Sequence, residues 1–136
     1  MWKTILTIAT LLIIGIIMFN IFNKSNTENR STMSIDISTE EFKEKRAETK
    51  GILIDVRTQE EYDEGHLAET DFQYDMMNGE FQSQLENFEK DETYYLYCRT
   101  GNRSGQAARM MRNAGFEKVY NVGGFEELVD AGFEAE

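Results

Sequence analysis

The chain has 136 residues, a net charge of −11 and an apolar fraction of 40%, enough for one folded domain and a short extension. The acidic balance argues against a DNA- or RNA-binding protein, because neutralising phosphates requires a basic surface. A single Cys and a single His exclude an internal disulfide and an ordinary zinc site, and we expect neither a metal nor another cofactor.

Residues 4–22 are predicted to form a transmembrane helix, because they carry no charge and would span about 28 Å as a helix. A cleaved signal peptide is the alternative, although the apolar region is long and no A-x-A-like cleavage site follows it. The short N-terminus with Lys3 favours a domain outside the cytoplasm, on the periplasmic side. That domain would be membrane-anchored or, after signal cleavage, exported.

The chain is predicted to divide into an anchor or signal segment (1–22), a polar linker (23–32) and a folded domain (33–136). Capping boxes at Ser38/Glu41 and Thr58/Glu61 mark the starts of the first two helices of the domain. The alternation of short apolar runs with segments of helical period predicts a parallel sheet covered by helices on both faces. The predicted strands are residues 34–37, 51–56, 71–74, 93–97 and 118–122, and the predicted helices are residues 38–47, 58–65, 80–88, 104–114 and 124–131.

Cys98 directly follows the aromatic strand that is predicted to end at Tyr97. In open parallel sheets, ligands bind beyond the carboxyl ends of the strands. Arg99 and Arg103 place positive charge beside the thiol, and a helix predicted to begin near Ser104 directs its partly positive N-terminus to the same region. Cys98 is therefore predicted to be a nucleophile. The alternative is a buried, unreactive Cys, which a basic loop does not favour.

The loop after Cys98 also has the features of an anion site. Gly101 and Asn102 tolerate unusual backbone angles, so that N–H groups can turn inward around an anion. Residues 98–118 carry five basic side chains against one acidic side chain. We therefore expect a small anionic ligand.

Residues 34–134 contain four motifs: Leu53-Ile-Asp-Val-Arg57, Glu61-Tyr62 followed by Gly65-His66-Leu67, Tyr97-Cys98-Arg-Thr-Gly-Asn-Arg-Ser104, and Asn121-Val-Gly-Gly124. With these motifs in this order, the chain resembles the single-domain rhodanese (thiosulfate sulfurtransferase-like) family. The resemblance implies an α/β fold with a five-stranded parallel sheet flanked by helices. It also implies that Cys98 takes a sulfane sulfur from thiosulfate or a persulfide donor, and that a thiol or cyanide acceptor then removes it.

The resemblance also implies roles for individual residues. Asp55, Arg57 and His66 match family positions and are interpreted as structural support. The residues that would bind the substrate are those of the loop, Arg99, Thr100, Gly101, Asn102, Arg103 and Ser104. The partners implied are a small anionic sulfur donor and a thiol acceptor, together with the membrane through residues 4–22 and without nucleic acid.

Other functions stay open. Cell-cycle dual-specificity phosphatases and some arsenate reductases have a similar fold, but their loop places Arg six positions after Cys. Here the step from Cys98 to Arg103 is five, and the shorter loop favours attack on sulfur. A membrane-tethered persulfide carrier with little turnover is a second possibility, and an inactive scaffold is a third.

Overall fold

The computed structural model describes residues 12–20 and 34–136, which belong to two separate units, Met1–Met33 and Ser34–Glu136. Residues 12–20 are helical, and the amide of Asn20 donates to the carbonyl of Ile16. The predicted membrane segment 4–22 and linker 23–32 otherwise lie outside the described residues. Within the described ranges, no helix is long and apolar enough to cross a membrane.

The second unit alternates strands and helices as expected. Ser38 and Thr58 each accept a hydrogen bond from the backbone N–H three residues later, and Glu41 and Glu61 complete the two predicted capping boxes. The helices are α1 (Thr39–Glu48), α2 (Gln59–Asp63), α3 (Glu80–Gln84, followed by a 3-10 turn at Leu85–Asn87), α4 (Asn102–Asn113) and α5 (Phe125–Asp130). The strands are β1 (Ile52–Asp55), β2 (Phe72–Gln73), β3 (Tyr94–Cys98) and β4 (Val119–Gly124).

In the part of the chain that the structure describes, the sheet has four parallel strands in the order β2-β1-β3-β4, so the prediction of five strands was wrong. The segment predicted as a first strand, residues 34–37, forms one isolated parallel bridge, between Asp36 and Asn121. Its two hydrogen bonds join Ile35 and Ile37 to the backbone of Asn121. The pairing stops there because Ser38 is already the N-cap of α1.

Two buried clusters lie on opposite faces of the sheet, because successive side chains of a strand point to opposite sides. One cluster joins Leu96 and Cys98 of β3 to Ala107 and Met111 of α4. The other contains Phe42 of α1, Leu128 of α5 and the intervening strand residues Tyr95 and Tyr97. Helices therefore cover both faces, as the alternation of elements predicts.

Two boundaries at the carboxyl end of β3 differ from the prediction. The strand includes Cys98, which pairs with Gly124 of β4. The next helix begins at Asn102 rather than near Ser104, with Gly101 as its N-cap. The turn is tighter because Gly101 has φ 87°, a left-handed conformation that ends one element and starts the next in a single residue. Ser104 thus lies in the first turn of α4, where it can reach back towards Cys98.

Candidate functional site: the Cys98 loop

Cys98 lies at the carboxyl end of a central strand, and its side chain is fully buried. The backbone N–H of Gly101 donates to its Sγ at 3.1 Å, and the Ser104 hydroxyl lies 3.4 Å from the same atom. The Gly101 N–H comes from the turn between β3 and α4, and the Ser104 hydroxyl comes from the first turn of α4. The strand, the turn and the first turn of the helix thus converge on one sulfur atom.

The pKa of the Cys98 thiol reflects two opposing effects. Burial raises this pKa, because the charged thiolate is disfavoured in a poorly solvated site. Hydrogen bonds from the Ser104 hydroxyl and from the backbone N–H groups of Ser104, Thr100 and Gly101 lower it, and together they outweigh the burial. The net pKa of Cys98 is therefore lower than that of an ordinary Cys. Hydrogen-bond donors are the leading causes of this lowering of the pKa, and Arg103 also interacts electrostatically with Cys98.

The turn is shaped by close contact between two glycine-containing segments. A Cβ on Gly124 would lie 2.7 Å from the carbonyl oxygen of Arg99 and 3.2 Å from the Cα of Thr100. The turn therefore packs directly on the end of β4. Of the two residues predicted to adopt unusual angles, Gly101 does so and Asn102 does not, since among the described residues only glycines have positive φ.

Arg103 is held by an acidic partner and does not point to the sulfur as a free cation. Its two terminal nitrogens each lie 2.7 Å from a carboxylate oxygen of Glu61 on α2. The Arg103 hydrogen bonds lower the pKa of Glu61 to about 2. The motif that places Glu61 on α2 therefore supplies a counter-charge for the loop as well as a helix cap. The sequence identified Glu61 as a capping residue and as part of a family motif, but it did not predict the pairing with Arg103.

The other loop residues predicted to bind substrate are nearer to solvent. Arg99 and Thr100 are exposed, and no hydrogen bond or ion pair of the Arg99 side chain is found within the described residues. The Asn102 side chain accepts a hydrogen bond from Gln106 along α4 and so stabilises the helix. The structure thus brings Gly101 and Ser104 to the sulfur and leaves Arg99 as an available positive charge.

A rhodanese-like domain model matches residues 38–131. The chain belongs to the rhodanese-like domain family. It is similar to YrkF of Bacillus subtilis (strain 168), provisionally named a sulfur carrier protein, with 34% identity over 98 residues, 71% of this chain and 51% of YrkF. It is also similar to the thiosulfate sulfurtransferase GlpE of Coxiella burnetii (strain RSA 331 / Henzerling II), with 32% identity over 76 residues, 55% of this chain and 68% of GlpE.

A solved structure agrees with this assignment. The crystal structure of a rhodanese-like domain protein from Staphylococcus aureus aligns with 31% identity and a TM-score of 0.60, covering 74% of this chain and 97% of that one. YrkF and GlpE, two relatives of this rhodanese-like chain, are thus named for sulfur transfer. The chain spans only about half the length of YrkF.

The rhodanese-like site contains a residue that sequence reasoning did not select, Asn121 of β4. Its side-chain oxygen accepts from the Ser104 hydroxyl at 2.6 Å, and its side-chain nitrogen donates to Asp36 at 2.6 Å and to the carbonyl of Gly101 at 3.0 Å. Asn121 belongs to the Asn-Val-Gly-Gly motif, so its position was visible. Its partners could not be predicted, because they come from two distant segments, Asp36 before α1 and Gly101 with Ser104 after β3.

The three residues predicted as structural support lie outside the sulfur's hydrogen-bond shell. Arg57 and Asp55 are both buried and form a two-point ion pair, with 2.7 Å between Nη2 and Oδ2. Arg57 also donates to the carbonyl of Gly65. His66 stacks on Tyr62 with 3.7 Å between ring centres. Within the described residues, no group of three or more His, Cys, Asp and Glu side chains is placed to hold a metal ion.

Proposed function

We propose that this rhodanese-like domain moves a sulfane sulfur from an anionic donor to a thiol or cyanide acceptor through a persulfide on Cys98. The observation that supports this most is the set of donors around one buried sulfur: the Gly101 N–H at 3.1 Å and the Ser104 hydroxyl at 3.4 Å from Sγ. Donors of this kind stabilise negative charge on sulfur, which develops when the thiolate forms and when it leaves.

The reaction proceeds in two half-reactions. The Cys98 thiolate attacks the outer sulfur of thiosulfate, a new S–S bond forms, and sulfite leaves with the electron pair of the broken S–S bond. In the second step an acceptor thiolate or cyanide attacks the outer sulfur of the Cys98 persulfide. The S–S bond to Cys98 breaks, and its electron pair returns to Cys98 as the thiolate. No external oxidant or reductant is needed, because each S–S bond broken is matched by a bond formed to the same sulfur.

The charge distribution supports a small anionic donor. Arg99 is exposed at the loop, while Arg103 is neutralised by Glu61. We therefore expect Arg99 to attract the anionic end of the donor by a charge-assisted hydrogen bond. Because the Cys98 side chain is fully buried, the slim outer sulfur of thiosulfate or of a small persulfide suits the site better than a bulky group.

The Arg103–Glu61 pair also favours sulfur transfer over hydrolysis of phosphate esters. Phosphate recognition uses an Arg guanidinium as a two-point donor to phosphate oxygens. Here both terminal nitrogens of Arg103 are directed at Glu61. Phosphatase or arsenate reductase-like activity is accordingly the weaker alternative. A persulfide carrier with little turnover is the stronger one, and it shares the same Cys98 chemistry.

Intact-mass measurement tests the shared step. Thiosulfate or a small persulfide should add one sulfur, about 32 Da, to the wild-type chain and nothing to Cys98→Ala. Steady-state formation of thiocyanate from thiosulfate and cyanide then distinguishes a transferase from a carrier. If the wild-type chain gains no sulfur from either donor, both the transferase and the carrier hypotheses are refuted. Hydrolysis of an aryl phosphate that disappears in Cys98→Ser would favour the phosphatase instead.

We also infer that residues 4–22 anchor the domain in a membrane and hold it outside the cytoplasm. The segment is uncharged, and in its described part the large apolar side chains of residues 12–19 are between 50% and 67% exposed. A helix that is apolar on all sides needs an apolar environment. Protease accessibility in intact cells tests the orientation, and the mass of the membrane-bound chain tests cleavage. A full-length chain recovered without detergent would contradict anchoring.

A further inference from the structure

The Ser104 hydroxyl has one hydrogen and two acceptors within reach. Asn121 Oδ1 lies 2.6 Å from Ser104 Oγ, and Cys98 Sγ lies 3.4 Å from it. A hydroxyl can donate to only one partner at a time, while its lone pairs remain able to accept. Asn121 Oδ1 can only accept, and two oxygen atoms 2.6 Å apart need a hydrogen between them, so the Ser104 hydrogen is directed at Asn121 while Cys98 is a thiol. Ser104 is then free to accept a hydrogen bond from the Cys98 thiol.

The orientation of the Asn121 amide is unambiguous, because all four of its hydrogen-bonding positions are used. The nitrogen faces two acceptors, the Asp36 carboxylate at 2.6 Å and the Gly101 carbonyl at 3.0 Å. The oxygen faces two donors, the Ser104 hydroxyl at 2.6 Å and the Gly123 N–H at 3.3 Å. A flipped amide would oppose donor to donor and acceptor to acceptor, so Oδ1 must be the atom facing Ser104.

We propose that Asn121 is a positioning residue for sulfur transfer: it holds the Ser104 hydrogen while Cys98 is a thiol and gives it up when negative charge develops on Sγ. The thiol proton leaves to solvent or to the incoming base, and the Ser104 hydrogen turns from Asn121 Oδ1 to Sγ without leaving its oxygen. After the Ser104 hydroxyl has rotated, the Gly123 N–H still donates to Asn121 Oδ1. The oxygen is therefore not left without a partner, and the free-energy cost of the rotation stays low.

This inference rests on the proposed function and deepens it, because Sγ acquires charge at the same place in both half-reactions. It does so first as the attacking thiolate and later as the leaving group of the persulfide. Ser104 supplies the mobile donor each time, while the Gly101 N–H is a fixed donor. Asn121 therefore determines how readily Ser104 responds, and through its bond to the Gly101 carbonyl it also holds the turn in place.

Charged groups near the sulfur have to be separated from this effect. The loop itself contributes Arg99 and Arg103. Arg103 pairs with Glu61 of α2 and interacts electrostatically with Asp75, which follows β2. The segment before α1 contributes Asp36. Replacing Asn121 with an uncharged residue removes none of these charges, although Asp36 loses its hydrogen bond from the Asn121 amide. A change caused by Asn121 must also depend on the hydroxyl of Ser104, whereas an effect of charge would not.

The test is the pH dependence of Cys98 alkylation by iodoacetamide, which does not require sulfurtransferase activity. Four chains are compared: wild type, Asn121→Leu, Ser104→Ala and the double variant. Asn121→Leu frees the Ser104 hydrogen for the sulfur, so the apparent pKa of Cys98 should fall by about 0.5–1 unit relative to wild type. Ser104→Ala should raise the apparent pKa, and Asn121→Leu should produce no fall in that background.

A merely structural Asn121 would give the opposite sign. Loosening of the turn would raise the apparent pKa of Cys98 in Asn121→Leu, or lower it equally with and without Ser104, and either result overturns the proposal. If Asn121→Leu does not fold, Asp36→Ala provides a second arm at an exposed residue. Removing the Asp36 carboxylate weakens Oδ1 as an acceptor, so a fall that requires Ser104 is expected again. Alkylation reports only on the Cys98 thiol. If it contradicts the role proposed for Asn121, intact-mass measurement still tests persulfide formation independently.

Discussion

Arg103 and Glu61 join the Cys98 loop to helix α2 through two parallel hydrogen bonds of 2.7 Å each. Both side chains are about one-fifth exposed, so solvent screens the pair only partly. The paired charges mean that the loop carries less free positive charge than its sequence suggests. The stabilisation of a Cys98 thiolate consequently comes mainly from N–H and O–H donors.

Replacing Glu61 with Gln should destabilise the domain by about 1–3 kcal/mol at pH 7, because a charged two-point pair becomes a weaker one. The pKa of Glu61 is about 2 in the folded chain against an ordinary 4.5. A lowered pKa contributes stability above the ordinary value, and this contribution is lost as the pH falls towards 2. The difference in unfolding free energy between wild type and Glu61→Gln should therefore shrink below pH 4.5.

Urea denaturation between pH 3 and pH 7 measures this, with Glu60→Gln as the control. Glu60 is the exposed neighbour on the same helix and has no ion pair within the described residues. Equal destabilisation by both substitutions would contradict a specific role for the pair.

Arg57→Leu should cost about 3–5 kcal/mol, because it leaves the fully buried carboxylate of Asp55 without its counter-charge. The double variant Asp55→Asn/Arg57→Leu should recover part of that loss. An Asn at position 55 is uncharged and can still accept from the backbone N–H of residue 57. Thermal or urea unfolding of the three chains checks this, and a double variant no more stable than Arg57→Leu would contradict the explanation.

Gly124→Ala should displace the Cys98 loop, because the added Cβ would lie 2.7 Å from the carbonyl oxygen of Arg99. Gly124 has φ −98°, which suits any residue, so backbone strain plays no part. We expect a stability loss of about 1–3 kcal/mol from overpacking. The alkylation rate of Cys98 at neutral pH should change as well. Unchanged alkylation together with unchanged stability would show that the loop is not set by this contact.

Arg99→Ala should raise the KM for thiosulfate by about tenfold, the equivalent of one charge-assisted hydrogen bond, with a smaller effect on kcat. Added salt should reduce the difference between the two chains, because Arg99 is exposed and its charge is screened. Arg109→Ala, an exposed position further along α4, serves as the control. If Arg109→Ala raises KM equally, the effect comes from general surface charge, and Arg99 has no specific role.

Local patterns in the sequence were sufficient for much of the fold. The capping boxes at Ser38 and Thr58 set the starts of α1 and α2 because each cap involves only residues three positions apart. The parallel sheet with helices on both faces followed from the alternation of elements. The fifth strand was overestimated, because local apolar pattern does not reveal that residues 34–37 reach β4 at only one point.

The sequence alone was enough to predict which residues group around the candidate site: Cys98, the glycine turn and Ser104 are close in the chain and therefore close in space. Only the tertiary structure decided which partners those residues have. Glu61 pairs with Arg103, which lies 42 residues later in the chain. Asn121 bonds to Ser104, 17 residues earlier, and to Asp36, 85 residues earlier. Contacts between segments so far apart depend on how the sheet stacks its strands, and no local pattern in the sequence records that order.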